Sequence, residues 1–314
     1  MLTFFTTAKP FRGHSAIIQR NALESWKRIH PEVEIFLFGD DEGTADAARE
    51  LRIRHEPEVE RNARGTKYLR SFFDSAQRSA RHNLLCYVNC DILLLSDFRA
   101  AVERVRSWRK DFLMIGRRWD TEITAPIDFS RPDWEADIRA RALQANFQRP
   151  PQWIDYFVFS KGLYLGQIPP FLTGRPGWDN WLVWYARSSG VAVVDASAVV
   201  LAVHQNHDYS YHPDGAAGVW EGDEAQQNYA LLGNGRHFYT IENATHRLLP
   251  RMLRKNYRHY LVVGRKTAAG IAYRAWFSML DATRPIRSRL GLRKRRAPAA
   301  GPNASSCNTT GGRK

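Results

Sequence analysis

The chain has 314 residues, 44% hydrophobic and 12% aromatic, so it is long enough for one large domain or two smaller ones. The net charge is +14, but residues 251–314 hold 16 lysine and arginine residues and one acidic residue, Asp281. Residues 1–250 are therefore close to neutral, and we expect a globular body followed by a basic segment. This distribution argues against nucleic-acid binding by the protein as a whole.

The three cysteines, Cys86, Cys90 and Cys307, do not suggest a disulfide framework. Cys86 and Cys90 lie in or beside a predicted buried strand, where cysteine behaves as a small apolar residue, and a zinc site is the less favoured reading. The first residues lack the features of a signal peptide, and no apolar stretch reaches the roughly 18–20 residues that span a bilayer. We expect a cytoplasmic protein, and the basic segment leaves peripheral attachment to the inner face of the membrane open.

Strands and helices alternate along the first ninety residues. The apolar run that ends at Val88 is continuous rather than alternating, which is typical of a strand buried on both faces. This alternation indicates an α/β fold with a mostly parallel, Rossmann-like sheet flanked by helices. We predict strands at 2–6, 33–38, 53–55 and 84–88 and helices at 14–30, 45–51 and 66–81.

The second half of the body continues the pattern less regularly, because residues 117–152 are polar and rich in arginine, aspartate and tryptophan. We predict strands at 112–116, 156–160, 191–195 and 199–203 and helices at 97–108, 134–147 and 178–187. The chain then divides into a catalytic domain at 1–245, a basic helical extension at 246–296 and a disordered tail at 297–314.

The extension interleaves charged with aromatic side chains. Residues 257–280 have enough apolar character for an amphipathic helix, with Arg265, Lys266 and Arg274 on its polar side. Lysine and arginine beside tryptophan, phenylalanine and leucine are typical of a helix that lies on anionic lipid. We therefore predict an anionic membrane surface as a partner of residues 251–296, with a solvated helix or an RNA contact as the alternatives.

Polar loops follow several predicted strands, at the sheet edge where open α/β folds bind their ligands. The sequence has neither a Walker A motif nor G-x-G-x-x-G, so phosphate charge would be neutralised by a divalent ion or by arginine and lysine. Asp91 together with His204 suits Mn²⁺ or Mg²⁺. The polar loops lie at 39–41, 89–91, 177–180 and 204–209.

These loops resemble those of glycosyltransferases of the GT-A fold, which bind a nucleotide-sugar through a D-x-D motif and Mn²⁺ or Mg²⁺. The motif is matched here by Asn89-Cys90-Asp91. The segments Ile154-Asp155-Tyr156-Phe157-Val158-Phe159, Gly177-Trp178-Asp179-Asn180-Trp181-Leu182 and Val203-His204-Gln205-Asn206-His207-Asp208-Tyr209 are similar to those of bacterial members. The resemblance covers about residues 1–212.

The resemblance implies a role for each matching residue. Asp91 and His204 match the metal ligands, while Asn89 stands at the first Asp of the motif, where it keeps a carbonyl oxygen and lacks the charge. Asp179 matches an acidic residue that faces the acceptor hydroxyl, and Asp155 matches a position that contacts a sugar hydroxyl. The nucleotide is expected against Thr6, Thr7, Asp40 and Asn89.

Each of these residues also has a purely structural reading. Asp91 suits a strand-end cap or a salt bridge, Asp40 an ordinary turn, Asp179 a helix N-cap and His204 a structural histidine. Asp155 suits a turn. The aromatic residues of the helix at 178–187 have the spacing of core residues rather than of a platform for sugar.

The sequence thus predicts a glycosyltransferase of the hexosyltransferase type that acts on a glycan or lipid-linked acceptor in cell-surface glycan assembly. Whether the reaction inverts or retains configuration stays open. A nucleotidyltransferase of similar sheet topology is the alternative enzyme, although its glycine-rich opening loop is missing. A non-catalytic protein that binds a nucleotide or sugar, with a basic tail for membranes or nucleic acid, is the alternative of another class.

Overall fold

A computed structural model of the chain describes residues 1–208 and 215–257, which form two sheets with helices packed against them. The strands are β1 (Thr3–Thr7), β2 (Glu34–Phe38), β3 (Arg54–Glu56), β4 (Leu84–Val88), β5 (Ile92–Leu93), β6 (Phe112–Ile115), β7 (Arg118–Thr121), β8 (Tyr156–Ser160), β9 (Ala192–Asp195), β10 (Ala202–Gln205), β11 (His246–Leu248) and β12 (Leu253–Lys255). The helices are α1 (Gly13–Lys27), α2 (Thr44–Leu51), α3 (Leu69–Ser79), α4 (Ser96–Trp108), α5 (Trp134–Ala145), α6 (Trp178–Ser188), α7 (Gly215–Glu221) and α8 (Asp223–Leu231).

The large sheet has nine strands in the order β12-β11-β9-β6-β8-β4-β1-β2-β3. Its pairings are parallel except on both sides of β8 and between β11 and β12. The predicted α/β class with a mostly parallel sheet flanked by helices is therefore confirmed. The reversed direction of β8 was not predicted, because a strand buried on both faces has the same apolar sequence in either direction.

The core lies on both faces of the central strands. Phe4 and Phe5 are consecutive residues of β1, so their side chains point to opposite faces of the sheet. Phe4 stacks on Trp26 of α1 with ring centroids 5.7 Å apart, and Phe5 meets Phe73 of α3 edge to face at 4.8 Å. Helices thus cover both faces, and the edge at the strand ends is left for ligands.

The small sheet has the order β5-β10-β7, with β10 antiparallel to β5 and parallel to β7. Strand β7 lies inside the polar segment 117–152, where only a helix was predicted, because Arg118-Trp119-Asp120-Thr121 lacks the apolar pattern of a strand. The strand predicted at 199–203 was also displaced. It spans Ala202–Gln205, so His204 lies within the strand rather than after it.

Two strands follow residue 245, where the sequence predicted the start of a helical extension. Strand β11 pairs with β9 and β12 pairs with β11, and Leu248 is buried in the same core as Phe4. The amphipathic helix predicted at 257–280 and the disordered tail at 297–314 lie, apart from Tyr257, outside the described residues. No helix in the described part of the chain is long and apolar enough to cross a membrane.

Gly116, the residue after β6, has no room for a side chain. A Cβ atom there would lie 2.0 Å from the hydroxyl oxygen of Tyr156, so we expect Gly116→Ala to reduce the free energy of unfolding by about 1–3 kcal/mol. That oxygen is buried and has no hydrogen-bond partner within the described ranges. Tyr156→Phe should therefore cost little, and it should reduce the cost of Gly116→Ala in the double variant. Urea unfolding of the three variants measures both effects, and equal costs in the two backgrounds would contradict this packing.

Candidate active site

A cleft of about 1200 Å³ opens at the edge of the large sheet where β1, β2 and β4 end. The loop after β1 contributes residues 7–10 to its wall, the loop after β2 contributes Asp41, and the loop after β4 contributes residues 89–91. The first turn of α6 and Trp220 of α7 also line it. The cleft therefore lies where open α/β sheets bind their ligands.

Asp91 lies in this cleft between two histidines. Its Oδ2 atom is 3.1 Å from Nε2 of His207 and 4.0 Å from Nε2 of His204. One ligand atom from each of the three residues lies within 4.8 Å of the others. The predicted pair Asp91 and His204 is therefore brought together, and His207 is an addition that the sequence did not predict.

Strand pairing fixes the position of these three residues. Strand β10 pairs with β5 in a register that sets His204 opposite Ile92. As a result, Gln205 donates from its backbone N–H and its side-chain amide to the carbonyl oxygen of Asp91, at 3.1 and 3.2 Å. Asp91 thus lies in a short loop between two strands that are each held in a sheet.

The field around Asp91 keeps its carboxylate ionised. Burial by itself would raise the pKa of Asp91, but the hydrogen bond from His207 and the charges of His204 and Lys9 lower that pKa well below its usual value. The Oδ1 atom of Asp91 is buried and has no hydrogen-bond partner in the described part of the chain. A buried anion with an unused lone pair is a ligand that a cation would complete.

The second nitrogen of each histidine lies near an acceptor oxygen. Nδ1 of His207 lies 2.8 Å from the backbone carbonyl oxygen of Asp208, and Nδ1 of His204 lies 3.4 Å from Oδ1 of Asp120. Both oxygens are acceptors, so with a cation bound the remaining proton of each ring would lie on Nδ1. The two Nε2 atoms lie on the side of Asp91 and would both be available to that cation, which is the arrangement that second partners impose on metal-binding histidines. The residues therefore fit a divalent cation.

A buried chain of polar side chains connects His204 to Asn89. Asp120, beside His204, accepts a hydrogen bond from Nε of Arg118 at 3.0 Å, and Nη1 of Arg118 donates to Oδ1 of Asp155 at 2.8 Å. The same Oδ1 atom accepts from the side-chain amide of Asn89 at 2.7 Å. The contact of His204 with Asp120 thus connects the candidate cation site to the hydrogen bonds of Asn89 and Asp155.

Two strand registers build this network. Strand β7 is parallel to β10 and sets Asp120 beside His204, whereas β8 is antiparallel to β4 and sets Tyr156 opposite Val88. One residue beyond that pair, the backbone N–H of Asn89 donates to the carbonyl oxygen of Asp155 at 2.9 Å. Asp155 reaches this edge of the sheet because β8 runs in the reverse direction.

Asp179 lies in the same cleft, in the first turn of α6. Gly177 is the N-cap of that helix, so Asp179 is not the capping residue. Burial raises the pKa of Asp179 to about 7 and the charge of Asp155 acts in the same direction, against the backbone N–H groups of the first turn. A carboxyl group with such a pKa can both accept and release a proton near neutrality.

The residues predicted to contact the nucleotide differ in whether they line the cleft. Thr7 lines the cleft, whereas Thr6 is buried beside it. Asp40 is exposed, forms an ion pair with Arg61 and does not line the cleft, where its neighbour Asp41 pairs with Lys67. The roles proposed for these residues stay predictions.

Asn89 also lines the cleft, but its side chain is hydrogen-bonded to other residues of the protein. Its amide group donates to Asp155, and its Oδ1 atom accepts from the hydroxyl group of Tyr87 at 3.0 Å. These contacts position Asn89 as part of the cleft wall. Its predicted contact with the nucleotide stays a prediction.

Four residues of the site were not predicted from the sequence: Lys9, Arg118, Asp120 and His207. His207 was the easiest of them to predict from the sequence, since it lies in the same loop as His204. Arg118 and Asp120 alternate along a polar segment with Trp119 between them, which is the pattern of a strand with one polar face. That alternation is a signal too short to separate β7 from a loop.

No family model and no curated protein sequence matches the chain. Among solved structures, the chain is similar to Staphylococcus aureus TarS 1-349 in complex with UDP-GlcNAc, with 10% identity and a TM-score of 0.42 over 66% of this chain. It spans 59% of that structure's length.

Two structures of Mycobacterium tuberculosis glucosyl-3-phosphoglycerate synthase are also similar. One, in complex with Mn²⁺, UDP and glucosyl-3-phosphoglycerate, gives 15% identity and a TM-score of 0.42 over 74% of this chain and 79% of that one. The other gives 12% identity and a TM-score of 0.44 over 83% of this chain and 92% of that one. These neighbours are glycosyltransferases of the GT-A fold. The likeness is distant, so the function proposed below rests on the side chains of the cleft.

Arg118 holds two carboxylates together at 9% side-chain exposure. We expect Arg118→Met to reduce the free energy of unfolding by about 3–5 kcal/mol, because it leaves Asp120 and Asp155 buried without their shared cation. Arg131→Met is the matched control, since Arg131 forms its ion pair with Asp133 in solvent and should leave the unfolding midpoint close to that of the wild type. Urea unfolding compares the two variants. Equal stability of both would show that Arg118 does not hold the site together.

Proposed function

We propose that the protein transfers a glycosyl group from a nucleotide-sugar donor to an acceptor hydroxyl group. The observation that carries this proposal is the convergence of Asp91, His204 and His207 on one point of a large cleft. The same cleft contains Asp179, a carboxyl group with a pKa raised to about 7. Glycosyl transfer is helped by a cation that neutralises the diphosphate and by a group that exchanges a proton near pH 7. This cleft would provide both.

The donor would lie with its diphosphate against the loops after β1 and β4. Asp91, His204 and His207 would hold a divalent ion there, which supplies neutralising charge for the departing diphosphate. Two imidazoles and one carboxylate favour Mn²⁺ over Mg²⁺, since Mg²⁺ prefers an all-oxygen shell. Through Asp120, the network around Arg118 would keep His204 in place before the donor arrives.

Asp179 would act on the acceptor. In its ionised form it takes the proton of the acceptor hydroxyl while that oxygen forms a bond to the anomeric carbon and the bond from this carbon to the phosphate oxygen breaks. The products are a glycoside and a nucleoside diphosphate, and Asp179 is left protonated. This assignment corresponds to inversion at the anomeric carbon. Asp155 is held by Arg118 and Asn89, so its proposed role is to position a sugar hydroxyl rather than to move a proton.

The part of the cleft lined by Trp153, Trp220 and Arg149 suits a glycan acceptor. The ring centroids of the two tryptophans are 5.1 Å apart, and the guanidinium of Arg149 lies over Trp153 at 5.0 Å. Aromatic faces beside hydrogen-bond donors are suitable contacts for sugar rings. We propose a glycan or lipid-linked acceptor in cell-surface glycan assembly, with the basic segment at residues 251–296 holding the protein near an anionic membrane.

Titration of UDP- and GDP-sugars by calorimetry tests the proposed function. We expect binding of a nucleotide-sugar to the wild type, tighter with Mn²⁺ than with Mg²⁺. Asp91→Asn should weaken Mn²⁺ binding at least about tenfold, because it removes the only carboxylate of the cluster. Release of nucleoside diphosphate from the nucleotide-sugar and an acceptor indicates glycosyl transfer, whereas release of pyrophosphate from a nucleoside triphosphate and a sugar phosphate would indicate a nucleotidyltransferase. No binding of any nucleotide-sugar would refute both enzyme readings.

Asp179→Asn separates a proton acceptor from a structural residue. Turnover by the wild type should rise with pH and level off above pH 7, because only the ionised form of Asp179 accepts a proton, and the variant should lose turnover at every pH. The raised pKa also means that the folded protein binds this proton more tightly than the unfolded chain does, so wild-type stability falls as pH rises from about 4 to 7. The melting temperature of the variant relative to the wild type should therefore be higher at pH 8 than at pH 5. A variant that keeps wild-type turnover and its pH profile would eliminate the proton-acceptor role.

A further inference from the structure

Lys9 lines the cleft, on a loop that is held from two sides. Its backbone N–H donates to Oε1 of Gln19 at 2.7 Å, and its carbonyl oxygen accepts from Nε2 of the same side chain at 2.9 Å. The preceding carbonyl oxygen, that of Ala8, accepts from Nζ of Lys67 at 2.8 Å. The backbone of Lys9 is thus fixed, and its side chain can move only about its own torsions.

The ammonium group of Lys9 meets the cation site. Its Nζ atom lies 3.1 Å from Nε2 of His207, the same nitrogen that lies 3.1 Å from Oδ2 of Asp91. Nδ1 of the same ring faces the carbonyl oxygen of Asp208. The Lys9 ammonium group and the Asp91 carboxylate are therefore neighbours of one ring nitrogen, where their charges attract.

A divalent ion and the Lys9 ammonium compete for this place. A metal ion binds an imidazole nitrogen at about 2.0–2.2 Å, so an ion on Nε2 and an ammonium group 3.1 Å from that nitrogen would be close like charges. The side chain of Lys9 would have to turn away when the ion binds. It would turn into the cleft, where the diphosphate of the proposed donor would lie.

We propose that Lys9 is a diphosphate-binding residue whose ammonium group alternates with a divalent ion beside Asp91 and His207. This inference rests on the proposed function, because it assigns the cation that receives the donor's diphosphate. It also accounts for the single carboxylate of the Asn89-Cys90-Asp91 motif, since a lysine supplies charge where the motif holds a metal less strongly. The protein should consequently bind a nucleoside diphosphate without any metal, and it should do so through Lys9.

The experiment compares the wild type with Lys9→Met, Lys9→Arg and the control Lys27→Met, in which a lysine of α1 that pairs with Glu24 is replaced. UDP and GDP are titrated in EDTA and in Mn²⁺, and Mn²⁺ is titrated alone by electron paramagnetic resonance. In EDTA, Lys9→Met should weaken binding of the diphosphate on the order of tenfold, the loss expected for one charged hydrogen bond. Lys9→Arg should retain most of that binding, and Lys27→Met all of it. In the titration of Mn²⁺ alone, Lys9→Met should bind the ion more tightly than the wild type.

Each result decides between Lys9 and the alternatives. Binding of UDP or GDP by the wild type only when Mn²⁺ is present would overturn the inference and leave the proposed function intact. Unchanged diphosphate binding by Lys9→Met, together with a lower melting temperature, would make Lys9 a structural counter-ion of Asp91. If the wild type binds neither nucleotide under any condition, the proposed function fails. In that case unchanged or weaker Mn²⁺ binding by Lys9→Met also rejects the alternation of the two cations.

Discussion

The buried arginine that joins the two sheets is the interaction on which the cleft depends. Arg118 belongs to β7 of the small sheet, and it pairs with Asp120 of its own strand and with Asp155, which precedes β8 of the large sheet. Through Asp120 it reaches His204, and through Asp155 it reaches Asn89. Because both carboxylates are almost fully buried, loss of this guanidinium would leave Asp155 without the cation it pairs with and Asp120 with Arg149 alone. The positions of His204 and Asn89 in the cleft wall follow from that constraint.

The positive and negative charges of the cleft nearly cancel before any ligand binds. The local environments of its carboxylates nevertheless differ. Asp91, Asp120 and Asp155 each lie beside cationic or hydrogen-bond donor groups. Asp179 has the same chemistry in a different setting, because burial and the charge of Asp155 raise its pKa to about 7. Environments that push similar groups apart in this way separate a ligand for a cation from a group that moves a proton. Lys9 adds a cation that belongs to the chain itself, which in the proposed role would bind a diphosphate without a metal.

Much of the fold could be predicted from local patterns. The predicted strands at 84–88 and 156–160 have the observed bounds, since continuous apolar runs between polar loops leave little choice. Strand β7 was missed because its residues are polar, and their burial is favourable only once Asp155 and His204 are beside them. The segment at 246–257 was predicted as helix from its charge and aromatic content, whereas pairing with β9 makes it part of the sheet. Propensity yields to tertiary pairing in both cases.

The sequence by itself determined the α/β class, the sheet edge that carries the cleft, and the choice of Asp91, His204, Asp155 and Asp179 as residues of interest. The class, the sheet edge and the loops of Asp91, Asp179 and His204 follow from the order of apolar runs and polar loops, which is a local property of the chain, whereas Asp155 was chosen through the resemblance to GT-A glycosyltransferases. Only the tertiary structure decided that His207 and Lys9 meet Asp91, that Asn89 is bound to Asp155, and that Asp40 lies outside the cleft wall. Those contacts depend on strand direction and register, and a shift of one residue in β8 or β10 would point the same side chains to the opposite face. Register is fixed by packing across the whole sheet, so local sequence does not contain it.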